Sequence, residues 1–263
     1  MSENSRKSTT GQTRSEDKSL QEAIVSDQFK KIIDEAFEKT KIILQKRYDN
    51  LTKEWDSYKD EFSSIFGIDG NDTILVNYYT PGQQIDPDSA PQTPRNTPSE
   101  MEITAHQFMI DGVKRLMDIC ERLYIDNRKY DKDWGFYRYG SFINETALTS
   151  GAACVAKGQT LNALPSQYKE RIHIEILHRF IEITRITGRD SRVSTLCHEL
   201  SHLVIYKENG AYYGGMGTDD ILPKGVSRTN GNYTKHADTL LKKKSKQVFN
   251  NAYNIEKYFE VKI

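Results

Sequence analysis

The chain is short of cysteine, short of histidine, almost free of proline outside one stretch, and without excess charge or a long apolar run. Cys120, Cys154 and Cys197 are odd in number and form no Cys-x-x-Cys pair, which excludes a disulfide framework. They are expected to be reduced thiols, in a chain synthesised in a reducing compartment. Lys and Arg total 37 and Asp and Glu total 37, so the formal net charge is zero. Nothing in that balance argues for a nucleic-acid partner or a membrane surface. No apolar run approaches the roughly 20 residues a membrane span needs. Residues Met1 to Ser19 lack the apolar stretch of a secretory signal.

What is present is a polar chain of 263 residues, long enough for one large domain or a domain with an extension. Residues 1–18 are Ser, Thr, Lys, Glu and Gly with little apolar content, and read as a disordered tail. From Leu20 to Phe66 apolar residues recur at three- and four-residue steps (Phe29, Ile32, Ile33, Ala36, Phe37, Leu44), which predicts two helices or one long one. Ile74 to Tyr79 reads as a short strand. Five of the seven prolines then fall between Pro81 and Pro98, so residues 80–99 are expected to be a loop. Helix is expected again from Glu100 to Asn127, capped near Ser99, with Met109, Val113, Leu116, Met117, Cys120 and Leu123 as its apolar stripe. Arg171 to Thr184 is rich in isoleucine and reads as a strand leading into a helix, placed beside the active-site cleft.

The stretch Cys197-His198-Glu199-Leu200-Ser201-His202 carries the chemistry. Two histidines at i and i+4 share one helix face, so both imidazoles can reach one metal ion. The glutamate after the first histidine falls to the flank, where it can hold a water without ligating. This is the zincin arrangement of two His ligands and a Glu general base. Cys197 precedes a ligand by one residue and points about 100° away, so it is expected to be a packed thiol.

A catalytic zinc site needs a third protein ligand and an open position. The metzincin spacing fails, because Ile205 and Glu208 stand where Gly and His would be required. Glu256 has the right type for a downstream carboxylate ligand. Gly217-Thr218-Asp219-Asp220 is the better candidate: the run Gly210, Gly214, Gly215, Gly217 gives the chain freedom to bring a carboxylate back to the histidines.

His-Glu-x-x-His together with Gly-Thr-x-Asp resembles the aspzincins, the deuterolysin and lysine-specific metallo-endopeptidase family. Gly188-Arg189-Asp190-Ser191 ahead of the helix, and Asn251-Ala252-Tyr253-Asn254-Ile255-Glu256 near the end, are similar to further family segments. The resemblance spans roughly Leu20 to Ile263 and is strong from Gly188 onward. It implies zinc bound by His198, His202 and Asp220, with Glu199 as base. The family's oxyanion tyrosine would fall on Pro223, so an insertion over about Ile221 to Asn232 is expected to leave Tyr233 in that role, with Tyr213 and His236 as substitutes. The two acids that read lysine in the family's lysine-specific members match Tyr253 and Glu256, so only one acid of that substrate-binding pair is present.

The expected fold class is therefore α+β, mainly α: a zincin-like fold with an active-site helix, a small edge sheet and long N-terminal helices. Residues 1–18 would be a tail, 19–130 a helical N-terminal part and 131–263 the catalytic core, with 19–263 one compact unit. The expected activity is that of a monomeric metalloendopeptidase with one Zn2+ per chain and a protein or peptide substrate. It would have no nucleic-acid partner and no membrane span. The family's bacterial members suggest an effector or toxin exported by a specialised secretion system. The alternative is a non-catalytic or target-restricted effector on the same scaffold.

Overall fold

The computed structural model describes residues 25–80, 98–125, 129–131, 136–146, 151–227 and 231–263. The expected tail, most of the proline-rich loop and part of the expected insertion lie outside these residues.

Two helices open the described chain. α1 (Asp27–Thr52) starts where the Ser26 side chain accepts a hydrogen bond from Phe29 N, which satisfies one of the orphan N–H groups of the first turn. α2 (Trp55–Phe66) ends at Gly67, whose φ of 69° is the left-handed cap that glycine reaches without a Cβ penalty. Their buried faces include the stripe expected from the sequence, Phe29, Ile32, Ile33, Ala36, Phe37 and Leu44, together with Ile43, and Phe62 and Phe66 from α2.

β1 (Thr73–Tyr78) is the short strand expected after them. Its partner differs from the sequence reading. Residues Ser99–Thr104 are not the start of a helix but strand β2, antiparallel to β1 with Ile74 opposite Ile103 and Val76 opposite Met101. α3 (Ala105–Arg122) begins only after Thr104, whose hydroxyl caps it by accepting from Gln107 N. The alternation Met101, Ile103 is a two-residue period, which serves a strand.

A five-stranded sheet follows, in the order β3 (Lys129–Asp131), β4 (Phe136–Tyr139), β5 (Phe142–Asn144), β7 (Ile174–Ile176), β6 (Ala153–Cys154). β5 and β7 are parallel and the other pairs antiparallel. The short helices α4 (Tyr168–Arg171) and α5 (His178–Glu182) flank β7. Thus Arg171 to Thr184 does give a strand and a helix, but β7 sits inside the sheet. The edge beyond it is β6. Isoleucines 174 and 176 are fully buried, as a strand with neighbours on both sides requires.

α6 (Arg192–His202) carries the two histidines. A hairpin of β8 (Ile205–Glu208) and β9 (Ala211–Gly214) follows, then α7 (Tyr233–Lys242) and the closing α8 (Ala252–Phe259). One hydrophobic cluster runs from Val25 through α1, α3 and α6 to Phe259 and crosses the 130/131 boundary. Arg47 joins its two ends: buried on α1, it donates to Tyr258 O at 2.5 Å and pairs with Glu61 at 2.9 Å. The molecule is a mainly α, α+β fold with small sheets, and no described helix is long and apolar enough to cross a membrane.

Candidate metal centre

The site starts with a well-fixed helix. Ser191 caps α6 by accepting from Ser194 N at 3.1 Å, and Ser194 Oγ accepts from Ser191 N at 3.0 Å. That reciprocal pair satisfies two N–H groups at the helix start. Val193, Leu196, Cys197 and Leu200 are buried together with His198 and Glu199, so this helix is enclosed on most sides. Cys197 is a buried free thiol, as its position predicts.

The return loop brings the third group. Gly214 has φ 90°, and a Cβ there would stand 2.0 Å from Val204 O; at Gly215 it would stand 2.6 Å from Leu200 O. The hairpin must pass this close to the end of α6, and only glycine permits it. Thr218 then locks the loop to the helix: its N donates to Ser201 O at 3.1 Å and its hydroxyl lies 2.7 Å from Ser201 Oγ. Asp219 bridges to Asn251 in parallel fashion, donating to Asn250 O at 2.8 Å and accepting from Ala252 N at 3.0 Å. Asp220 is thus fixed between α6 and the start of α8.

Asp220 Oδ1 lies 3.2 Å from His198 Nε2 and 3.6 Å from His202 Nε2. One ligand atom from each of the three residues falls within 4.8 Å of the others. Tetrahedral zinc with N and O ligands at 2.0–2.1 Å separates them by about 3.3 Å, so the donor set fits that ion. Both histidines also have their other nitrogen occupied: His202 Nδ1 is 3.0 Å from Thr218 O, and His198 Nδ1 is 3.1 Å from Glu256 Oε2. Outer partners of this kind leave Nε2 turned towards the metal position. Glu256 therefore stands on the far nitrogen of His198, outside the trio that its residue type alone might have joined.

The charges follow from this crowding. Burial alone would lower the His198 pKa, but hydrogen bonds to Asp220 and Glu256 outweigh it and lift it to about 10. His202 is lowered, by burial first and then by the neighbouring His198 charge. Burial pushes Glu199 up to about 8, against the pull of His198 and a hydrogen bond from Val155 N–H. That hydrogen bond ties the Glu199 carboxylate to the residue after β6. Cys154, on β6, is pushed up to about 11 by desolvation and then by Glu199, Glu175, Glu145 and Asp220, so the edge strand borders the centre.

The aromatic residues are arranged in series. The Tyr253 ring meets the His198 ring edge-on at 4.7 Å, and Tyr233 stacks on Tyr253 at 5.3 Å. Tyr233 is the first residue of α7 and reaches the centre through Tyr253. Tyr213 lies on β9 opposite Tyr206, and His236 lies within the first turn of α7. Sequence reading missed Lys157, whose Nζ is 2.6 Å from Asp219 Oδ1. It also missed the hydrogen bonds of Thr218 and Ser194. Thr218 was visible as part of Gly-Thr-x-Asp, whereas nothing marks Lys157, 62 residues away from its partner.

No family model and no curated protein matches the chain. Among solved structures, one titled a zinc peptidase from Grifola frondosa is similar, at 15% identity and a TM-score of 0.45, covering 89% of this chain and 96% of that one. The functional reading rests on the site itself.

Proposed function

We propose that this chain is a zinc-dependent endopeptidase that hydrolyses peptide bonds in protein substrates. The observation that carries the reading is the convergence of His198, His202 and Asp220 on one point, with the buried Glu199 beside it. Zinc held there supplies a Lewis acid that polarises a carbonyl and acidifies a water.

The chain's own residues do the rest. Glu199 would accept a proton at its carboxylate from the water whose oxygen bonds the scissile carbonyl carbon, and deliver it to the amine nitrogen as the C–N bond breaks. Val155 N–H orients that carboxylate. The tyrosine pair supplies a hydroxyl donor to the developing oxyanion. Tyr253, whose ring touches His198, is the nearer of the two and is a candidate for that role beside Tyr233, which stacks on it. β6 ends the sheet beside the centre, so an extended substrate can add to that edge as a further strand. His198 and His202 are largely buried while Asp220 is 37% exposed, which leaves the approach on the Asp220 side.

Incubating the zinc-loaded protein with a cell lysate and sequencing new N-termini tests this. New termini are expected with wild type, and none with Glu199→Gln at unchanged zinc content. Equal cleavage by the variant, or none by the zinc-loaded wild type, would overturn the reading.

A further inference from the structure

We propose that Glu256 is a positioning residue that acts through His198, and that it is not a reader of substrate charge. This rests on the metal centre proposed above. The His198 ring lies between two carboxylates on opposite nitrogens, Glu256 Oε2 at 3.1 Å from Nδ1 and Asp220 Oδ1 at 3.2 Å from Nε2. A neutral imidazole carries one ring proton. A carboxylate at Nδ1 keeps the proton there, which leaves the Nε2 lone pair facing Asp220 and His202. Among the described residues, His202 Nδ1 meets the Thr218 carbonyl, so the two histidines are held by acceptors of different charge.

The second oxygen of Glu256 is committed as well. Oε1 lies 3.2 Å from Ser194 Oγ, whose hydroxyl proton it shares with Ser191 O at 3.0 Å. Ser194 and His198 are one helical turn apart on the same face of α6. Glu256, on α8, therefore grips α6 at two successive turns and fixes both the rotation of the helix and the plane of the ring. Its side chain is 16% exposed. Each oxygen thus spends one acceptor direction on α6, and the carboxylate is held against that helix. The companion position, 253, is a tyrosine. With one acid in place of two, and that acid tied to α6, this pair of positions is expected to contribute little selection for lysine.

The test uses the full chain and Glu256→Gln, which keeps the side-chain shape and an acceptor oxygen but removes the charge. Zinc affinity is measured by competition with a chelator of known affinity. Loss of an outer partner of this kind costs about 10–100-fold in metal affinity, and that fall is expected here. In parallel, kcat/KM is compared for peptides with Lys or Leu after the scissile bond; the Lys-to-Leu ratio should stay within about threefold of wild type. Unchanged zinc affinity with a selective loss of Lys substrates would overturn the proposal. A second readout needs no variant. Nitrogen-15 NMR of the zinc-loaded wild type should show His198 protonated and hydrogen-bonded at Nδ1, and a metal-bound Nδ1 would overturn the proposal. A wild type that binds zinc but cleaves nothing defeats the peptidase reading alone, and the affinity and NMR results still decide Glu256. A wild type that binds no zinc defeats both.

Discussion

At the residue scale, the side chains of the centre are bound to one another by hydrogen bonds between charged groups. His198 is raised from 6.5 to about 10, because its bonds to Asp220 and Glu256 outweigh the burial that opposes them. The stability it contributes is complete below 6.5 and is lost as pH climbs through 10. Glu199 is an acid raised from 4.5 to about 8, so its folded form keeps a proton that the unfolded chain gives up. Its contribution is also greatest at low pH and declines between those values. Both act in one direction: the metal-free protein should melt at a lower temperature at about pH 9 than at about pH 6. Zinc must displace the ring proton at His198 Nε2, so at about pH 7 its binding should release at least about one proton per ion. Calorimetry in two buffers of different ionisation enthalpy reads that number directly. Loss of a single oxyanion donor costs about 10²–10³ in kcat, the drop expected for Tyr253→Phe, with a smaller one for Tyr233→Phe. Steady-state kinetics on the two variants separates the donor from the residue that stacks behind it.

At the scale of elements, α6 and its return loop were legible because their signals are local. The His-Glu-x-x-His spacing and the glycines after the helix lie close together in the chain, whereas the Ser191 cap emerged only in the structure. β2 was not legible: Met101 and Ile103 fill one face only when β1 lies alongside, and β1 is separated from it by the proline-rich stretch. The edge role of β6 was hidden for the same reason. Two residues of sequence say nothing until β7 pairs with them. Asp220, the expected third ligand, is held by the contacts of its neighbours: Thr218 on Ser201 nearby, and Asp219 on the distant residues 250–252. Gly214 is the point where that arrangement is most constrained. Gly214→Ala sets a Cβ against Val204 O in a left-handed backbone, and should destabilise the fold by about 2–4 kcal/mol. Denaturant unfolding of the zinc-free variant measures it. A loss under about 0.5 kcal/mol would show that the loop can relax.

At the scale of the molecule, the N-terminal helices and the half that carries His198, His202 and Asp220 share one core. Phe62 and Phe66 of α2 meet Phe249 and Tyr258, and Arg47 of α1 bonds the carbonyl of Tyr258 at the end of α8. α8 in turn carries Glu256 and Tyr253. The first helices thus support the face that presents the site, a link that periodicity alone leaves unseen because it joins positions 211 residues apart. Arg47→Ala leaves a buried carbonyl unsatisfied and empties space between the helices, and should lower stability by about 2–4 kcal/mol. Thermal melts before and after zinc removal report how much of that loss reaches the centre. Zinc at about 1,000 times its dissociation constant stabilises the folded chain by about 4 kcal/mol, so chelation should lower Tm by about 10 °C.

The most direct measurement is the zinc content of purified wild type beside His202→Ala, with far-UV circular dichroism to show that both are folded. About one zinc per chain is expected for wild type and close to none for the variant. A folded wild type without zinc, or a variant that holds as much as wild type, would contradict a centre built from His198, His202 and Asp220.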